Sequence, residues 1–244
     1  MDLDCTQCGG KVPIEPETDF LVCPFCNTSL FVELRGTVLH TIIRPTLDEK
    51  QAAESLTSHL IDREIQRPGQ YGFRMIYLPF WQIEWPTRVQ AVLADHPPEL
   101  GMAEPELPSG SQIPARGDEA ESKRFTAPII QLDVALDLTR DQARSDEQYK
   151  SARLVHAPFY IIEYSIGSHS FSAFVDAATG AVYPTSLPTS LSTARTFKAM
   201  CMAGGMVAFA SVVIIFSPSI LLGLVALALL SVPLTFLYRL GIRR

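Results

Sequence analysis

The sequence is short of positive charge. Its 20 Lys and Arg face 26 Asp and Glu, a net charge of −6, whereas a general nucleic-acid binder needs a basic footprint to match the phosphate backbone. It also lacks the short motifs of common chemistries: there is no glycine-rich phosphate loop, no HExxH pair, and no nucleophile elbow with Ser, His and Asp partners. The five histidines, His40, His59, His96, His156 and His169, are scattered, and each is expected as a surface or core residue rather than a ligand. Met1 to Cys8 holds no apolar run, so no signal peptide is expected there. Beyond residue 26 the only cysteine is Cys201, which lies in an apolar run and is expected to behave as a small hydrophobe.

What is present starts with the far end of the chain. From Ala199 to Phe216 there is no charge, and after Ser217-Pro218-Ser219 a second uncharged run extends from Ile220 to Leu237. As helices these runs would each be about 27 Å long, close to the hydrocarbon thickness of a bilayer. Neither has the polar face of a soluble helix. A transmembrane helical hairpin is therefore expected within residues 195–244, its small residues Ala199, Ala203, Gly204, Ala208 and Ser211 allowing close helix packing. Arg195 and Lys198 precede it, and Arg239, Arg243 and Arg244 follow it. By the positive-inside rule both flanks are cytoplasmic. The expected location is the inner cell membrane, crossed twice, with the N-terminal domain and the C-terminus in the cytoplasm and the lipid bilayer as first partner.

The other four cysteines form two matched pairs, Cys5-Thr6-Gln7-Cys8 and Cys23-Pro24-Phe25-Cys26, separated by fourteen residues, Gly9 to Val22. On the cytoplasmic side disulfides are disfavoured. A CxxC turn brings two sulfurs to one side of a tight loop, and two such turns offer a tetrahedron of thiolates that suits Zn2+. Iron on the same four ligands and an unmetallated pair of redox CxxC motifs are the alternatives. Four thiolates leave no open coordination position, so the zinc expected on Cys5, Cys8, Cys23 and Cys26 is structural, holding a segment too short to build its own core. Strands are expected at Lys11–Ile14, Phe20–Val22 and Leu30–Glu33. Residues 1–35 thus resemble a rubredoxin-like zinc ribbon. Its charges lean acidic, Asp2, Asp4, Glu15, Glu17, Asp19 and Glu33 against Lys11 and Arg35, which favours a protein partner over nucleic acid.

Residues 36–94 read as a β-α-β-β unit. A strand at Thr37–Arg44 is followed by a helix to about Gln66, capped by Thr46 with Glu49 and with Ala53, Leu56, Leu60 and Ile61 on its apolar side. Strands Tyr71–Trp85 and Thr87–Leu93 follow. Residues 95–124, acidic and rich in proline, read as a flexible loop. In 125–190 the pattern returns: a strand at Pro128–Asp137, a helix capped by Thr139 with Gln142 and running to about Lys150, then strands Leu154–Ser165, His169–Val175 and Ala181–Tyr183. The stretch Leu78-Pro79-Phe80-Trp81-Gln82-Ile83-Glu84-Trp85 matches Ala157-Pro158-Phe159-Tyr160-Ile161-Ile162-Glu163-Tyr164, which argues for an internal repeat. Strand alternation puts Trp81, Ile83 and Trp85 on one face and Tyr160, Ile162 and Tyr164 on the matching face, as the cover of a sheet against its helix. It also makes Glu84 and Glu163 equivalent, and a facing pair of carboxylates, helped by His156 or Asp176, is the enzymatic alternative.

The segment FSAFVDAATGAVYP, with Asp176, Thr179 and Gly180 at its turn, looks like the closing hairpin of PepSY-type modules, which implies a regulatory or binding domain. The chain as a whole resembles bacterial membrane proteins that join a zinc ribbon to PFW-containing repeats, which implies an anchored architecture and no particular chemistry. The expected fold is α+β: a zinc ribbon, two β-α-β-β units and a transmembrane hairpin. The expected role is that of a protein-binding or assembly subunit of a membrane complex, not an enzyme, with other complex proteins or a second copy as partners. A nucleic-acid-binding ribbon at the membrane is the remaining alternative.

Overall fold

The computed structural model describes residues 2–14, 18–33, 36–97, 100, 104–117, 125–140, 147–186 and 188. The expected transmembrane hairpin lies outside them. Among the described residues no helix is long and apolar enough to cross a membrane.

The described chain is α+β and mostly strand. Strands β1 (Asp2–Asp4) and β2 (Lys11–Pro13) form a separate ribbon. A nine-stranded sheet contains β3 (Phe20–Val22), β4 (Ser29–Glu33), β5 (Gly36–Ile43), β6 (Tyr71–Glu84), β7 (Val89–Leu93), β8 (Gln112–Pro114), β9 (Ser151–Ile166), β10 (His169–Asp176) and β11 (Val182–Pro184). Helices α1 (Glu49–Asp62) and α2 (Leu132–Thr139) accompany it. The expected cysteine ribbon is not a separate layer, because β3 and β4 continue into the sheet through β5.

Strand β9 organises the sheet. One of its edges pairs antiparallel with β6 along the whole of β6. The other is shared: Arg153–His156 run parallel to Leu39–Ile42 of β5, and Phe159–Ile166 run antiparallel to β10. From Leu154 to Ile162 every residue of β9 is buried, as expected of a strand covered on both faces.

The two PF-aromatic strands meet about a local twofold axis. Leu78 and Ala157, which match in the sequence alignment, are each other's direct cross-strand partners. The surrounding hydrogen bonds repeat in kind. Ala94 N donates to Pro79 O at 2.8 Å, and Ala177 N to Pro158 O at 3.0 Å; Ile129 and Ile130 donate to Ala94 O as Thr46 and Leu47 do to Ala177 O.

The axis also decides which helix each aromatic face receives. Leu56 and Leu60 of α1 pack on Tyr160, Ile162 and Tyr164, while Ala135 and Leu136 of α2 pack on Trp81, Ile83 and Trp85. Each helix therefore covers the strand of the other half. The aromatic stripes are sheet cover, as the alternation implies, but the helices are exchanged. Trp81 Nε1 donates to Ile130 O at 2.7 Å, just before α2. Trp81→Phe is expected to lower unfolding free energy by about 1 kcal/mol in urea titration, the ordinary net worth of one hydrogen bond.

Several sequence expectations shift. Residues 128–137 hold no strand: α2 occupies Leu132–Thr139, so Thr139 ends a helix instead of capping one, and residues 141–146 of the helix expected up to about Lys150 lie outside the described residues. Ahead of that segment Phe125 makes a single parallel bridge to Tyr77, in the place that Ile42 to His156 takes in the other half. Helix α1 is capped by Asp48, whose Oδ1 accepts from Gln51 N at 2.8 Å while Gln51 Oε1 accepts from Asp48 N at 3.0 Å. Thr46 instead gives its hydroxyl to Ala178 O at 2.7 Å. The buried side of α1 is Ala52, Leu56 and Leu60, with Ile61 turned out. Asp48→Ala is expected to cost about 1 kcal/mol of stability, read from the urea midpoint. The proline-rich segment is not loose throughout: β8 pairs with β5, and Leu100 and Ala115 are fully buried.

Candidate metal centre

The two CxxC turns are built alike. Cys5 N donates to Gly10 O and Gly9 N to Cys5 O, both at 2.8 Å; Cys23 N donates to Thr28 O and Asn27 N to Cys23 O, both at 2.9 Å. The residue after the second cysteine of each turn has positive φ, 74° at Gly9 and 56° at Asn27. Glycine reaches that region without strain and asparagine with little, so each turn can curl its amides toward the sulfurs.

The four sulfurs lie within 4.8 Å of one another. Cys5 Sγ to Cys26 Sγ is 3.8 Å and Cys8 Sγ to Cys23 Sγ is 3.7 Å. A zinc ion with Zn–S bonds of about 2.3 Å requires edges of about 3.8 Å in a tetrahedron, so the set fits Zn2+. All four predicted ligands are therefore brought together. Cys5 and Cys23 are buried, Cys26 half-buried and Cys8 exposed.

The thiols differ in acidity. The Thr28 hydroxyl beside Cys26 pulls its thiol down to about 6. At Cys8 the Gly10 backbone hydrogen bond also acts downward, but partial desolvation and the adjacent Cys26, Cys23 and Cys5 thiols outweigh it and raise Cys8 to about 12. A metal must displace the proton held there, so binding weakens as pH falls. A zinc bound by all four sulfurs has no open position for water or substrate and would act as a staple.

The second turn docks on the rest of the protein. Thr28 bridges to Arg116, Ser29 N donates to Ala115 O at 2.8 Å, and Gly117 N donates to Asn27 O at 3.3 Å. Gly117 lies so close that an added Cβ would come within 2.9 Å of Val22. Ser29 continues the connection inward. Its Oγ lies 3.0 Å from His40 Nδ1, His40 Nε2 lies 2.9 Å from His156 Nδ1, and His156 Nε2 lies 2.9 Å from Thr126 O. Both rings are fully buried, against Phe20 and Phe125. These histidines are core residues as expected, yet they are not scattered. The pairing of β5 with β9 joins them across a sequence separation of 116 residues, which no local pattern reveals.

The carboxylates do not converge. Glu84 is paired with Ser151 at one end of the β6–β9 ladder, and Glu163 with Gly72 near the other. Glu84 accepts from Ser151 Oγ at 3.0 Å, and Glu163 is exposed. Asp176 is a turn residue: its carboxylate accepts from Ala178 N at 2.7 Å, Thr179 N at 3.2 Å and the Thr179 hydroxyl. The facing pair of carboxylates is thus corrected, because antiparallel pairing about the local axis sends equivalent residues to opposite ends. The turn expected at Asp176, Thr179 and Gly180 is present, with Gly180 at φ 81°. Set against known protein families, curated proteins and solved structures, the chain matches none.

Proposed function

We propose that this protein is a membrane-anchored, cytosol-facing assembly subunit. In this reading a structural zinc ribbon and two duplicated halves present a protein-binding surface beside a membrane complex, and the C-terminal hairpin is the anchor. The observation that carries it is the closed cysteine cluster built into the main sheet: its four sulfurs turn on one another, and its second turn is pinned by residues 115–117. Such a centre stiffens a surface. The matching hydrogen bonds about the local axis support duplication, the uncharged runs support anchoring, and the net negative charge favours protein over nucleic acid.

The test compares the detergent-solubilised full chain with a version ending at Thr193, both as bait for crosslinked partners in membrane extracts. A defined membrane protein should copurify with the full chain. The shorter form should retain it if the hairpin only anchors. Failure of the full chain to pellet with membranes, or recovery of no reproducible partner, would remove the proposal.

A further inference from the structure

The two halves end differently. After Ala177 the chain turns through Asp176–Gly180 contacts and adds β11, which covers the outer edge of β10. After the matching residue, Ala94, the described residues contain no such returning strand. Among the described residues β7 pairs with β6 alone.

The phase of the ladder shows which groups this leaves open. Trp85 N donates to Arg88 O and Ala94 N to Pro79 O, both at 2.8 Å. Between these two bonds Gln90 and Val92 turn their backbone groups toward β6, so Val89, Ala91 and Leu93 turn theirs outward. The equivalent outward residues of β10 are Ser172, Phe174 and Asp176, and β11 takes them: Asp176 N donates to Ala181 O at 2.9 Å, and Thr185 N to Ser172 O at 3.1 Å.

The side chains point to the same missing strand. In β11 the Tyr183 ring packs 6.2 Å from Phe159 and against the core. The equivalent of Phe159 is Phe80, and beside it lies a cleft of about 610 Å³ lined by Phe80, Ala91, Leu93, Leu107 and Leu138, with Glu104 and Glu106 at its rim. Ala91 stands where the other half has the larger Phe174. The neighbouring helix has diverged in the same direction. Positions held by Thr46, Gln51 and Ser55 around α1 are Ile129, Val134 and Leu138 around α2, exposed at 74, 47 and 64%. The first half folds with polar residues there, so packing does not demand apolar ones.

We propose that the outer edge of β7 accepts an extended strand of a protein partner. This rests on the assembly reading and specifies its mode. The strand pairs antiparallel with β7 as β11 pairs with β10, lowers an aromatic side chain beside Phe80, and carries lysine or arginine toward Glu104 and Glu106. Backbone pairing supplies the register, and the cleft supplies selectivity.

The probe is a synthetic peptide, Lys-Ala-Val-Tyr-Pro-Thr-Lys, which copies β11 between lysines. It is titrated into the zinc-loaded full chain in detergent, with binding read by fluorescence anisotropy and amide exchange. Saturable binding is expected, with slowed exchange at Val89, Ala91 and Leu93. Replacing the peptide's tyrosine by alanine should weaken binding at least about tenfold. Ala91→Pro removes the central outward N–H and should do the same. Leu138→Lys, at an exposed position that does not threaten folding, should weaken the basic peptide through repulsion. No binding, equal binding by all variants, or protection elsewhere would overturn the proposal. Slowed exchange at β7 that depends on protein concentration without peptide would also overturn it, assigning the edge to a second copy. A membrane partner that copurifies undiminished with Ala91→Pro and Leu138→Lys would refute the edge while leaving the assembly reading intact; absence of any partner refutes that reading instead.

Discussion

Cys23→Ser is expected to abolish zinc binding and to release the N-terminal strands from the sheet. Cys23 is fully buried, and its backbone closes the second turn through both N–H and C=O. A serine hydroxyl is a poor substitute for a thiolate at a soft site, and three ligands hold the ion far less tightly than four. Structural zinc sites contribute about 10–16 kcal/mol in small fingers, and here the local apolar core is only Val12, Leu21, Leu30 and the buried cysteines with a few flanking residues. The strands cannot replace that contribution. Exchange protection should disappear at Leu21 and Leu30 and weaken in β5 and at Ala115, because Ser29 binds both regions. Metal analysis should find one zinc in the native chain and none in the variant. Retention of zinc by Cys23→Ser, or full protection at Leu30 after chelation, would show that the cluster is not the staple.

The cysteine centre was legible because both of its turns are local: four residues each, a glycine or asparagine next, and a loop between. The strands Tyr71–Glu84 and Ser151–Ile166 were legible for a similar reason, since a β-rich run needs only its own residues. Their pairing was not. Nothing in PFWQIEW states that its partner is the matching copy running the other way, and that one fact separates Glu84 from Glu163 and exchanges the two helices. Helix α2 was misplaced for a related reason. It has no side-chain cap of its own; Leu132 N instead donates to Glu33 Oε1 at 3.2 Å, a residue of β4. Its end is held by Arg88, which donates to Thr139 O at 3.1 Å and to Glu147 Oε2 at 2.6 Å. Thr139 and Gln142 resemble a cap because the real start and stop signals lie far off in sequence, at Glu33 of β4 and at Arg88 in the turn before β7. The alternation of PIIQLDVALD then suggested a strand, although Ala135, Leu136 and Thr139 already sit at helical spacing.

Stability should fall as pH drops from about 6.5 to about 4, and the His40–His156 pair should contribute a distinct part of the slope beside that of the zinc site. Thr126 O can only accept, so His156 Nε2 carries the proton there. His156 Nδ1 is then the acceptor, His40 Nε2 the donor, and His40 Nδ1 accepts from Ser29 Oγ. Every ring nitrogen is satisfied with both imidazoles neutral. An added proton would place a cation in a fully buried, aromatic site. Burial accordingly holds His40 down to about 2, with the neighbouring ring adding to the effect, and His156 down to about 4. In the unfolded chain both titrate near 6.5. Between those values the unfolded state binds more protons, so the histidines' contribution is complete above 6.5 and is lost downward by about 1.4 kcal/mol per pH unit for each ring. His40→Phe with His156→Leu removes both groups. That variant orphans the buried Ser29 hydroxyl as well as Thr126 O and should be less stable at pH 7 by about 1–3 kcal/mol, yet its unfolding free energy should fall by less on acidification. Urea titrations in saturating zinc keep the metal's own pH dependence common to both proteins. Equal slopes between pH 6.5 and 4 would mean that the pair is already charged in the fold, and would remove the tautomer assignment on which the satisfied chain from Ser29 to Thr126 depends.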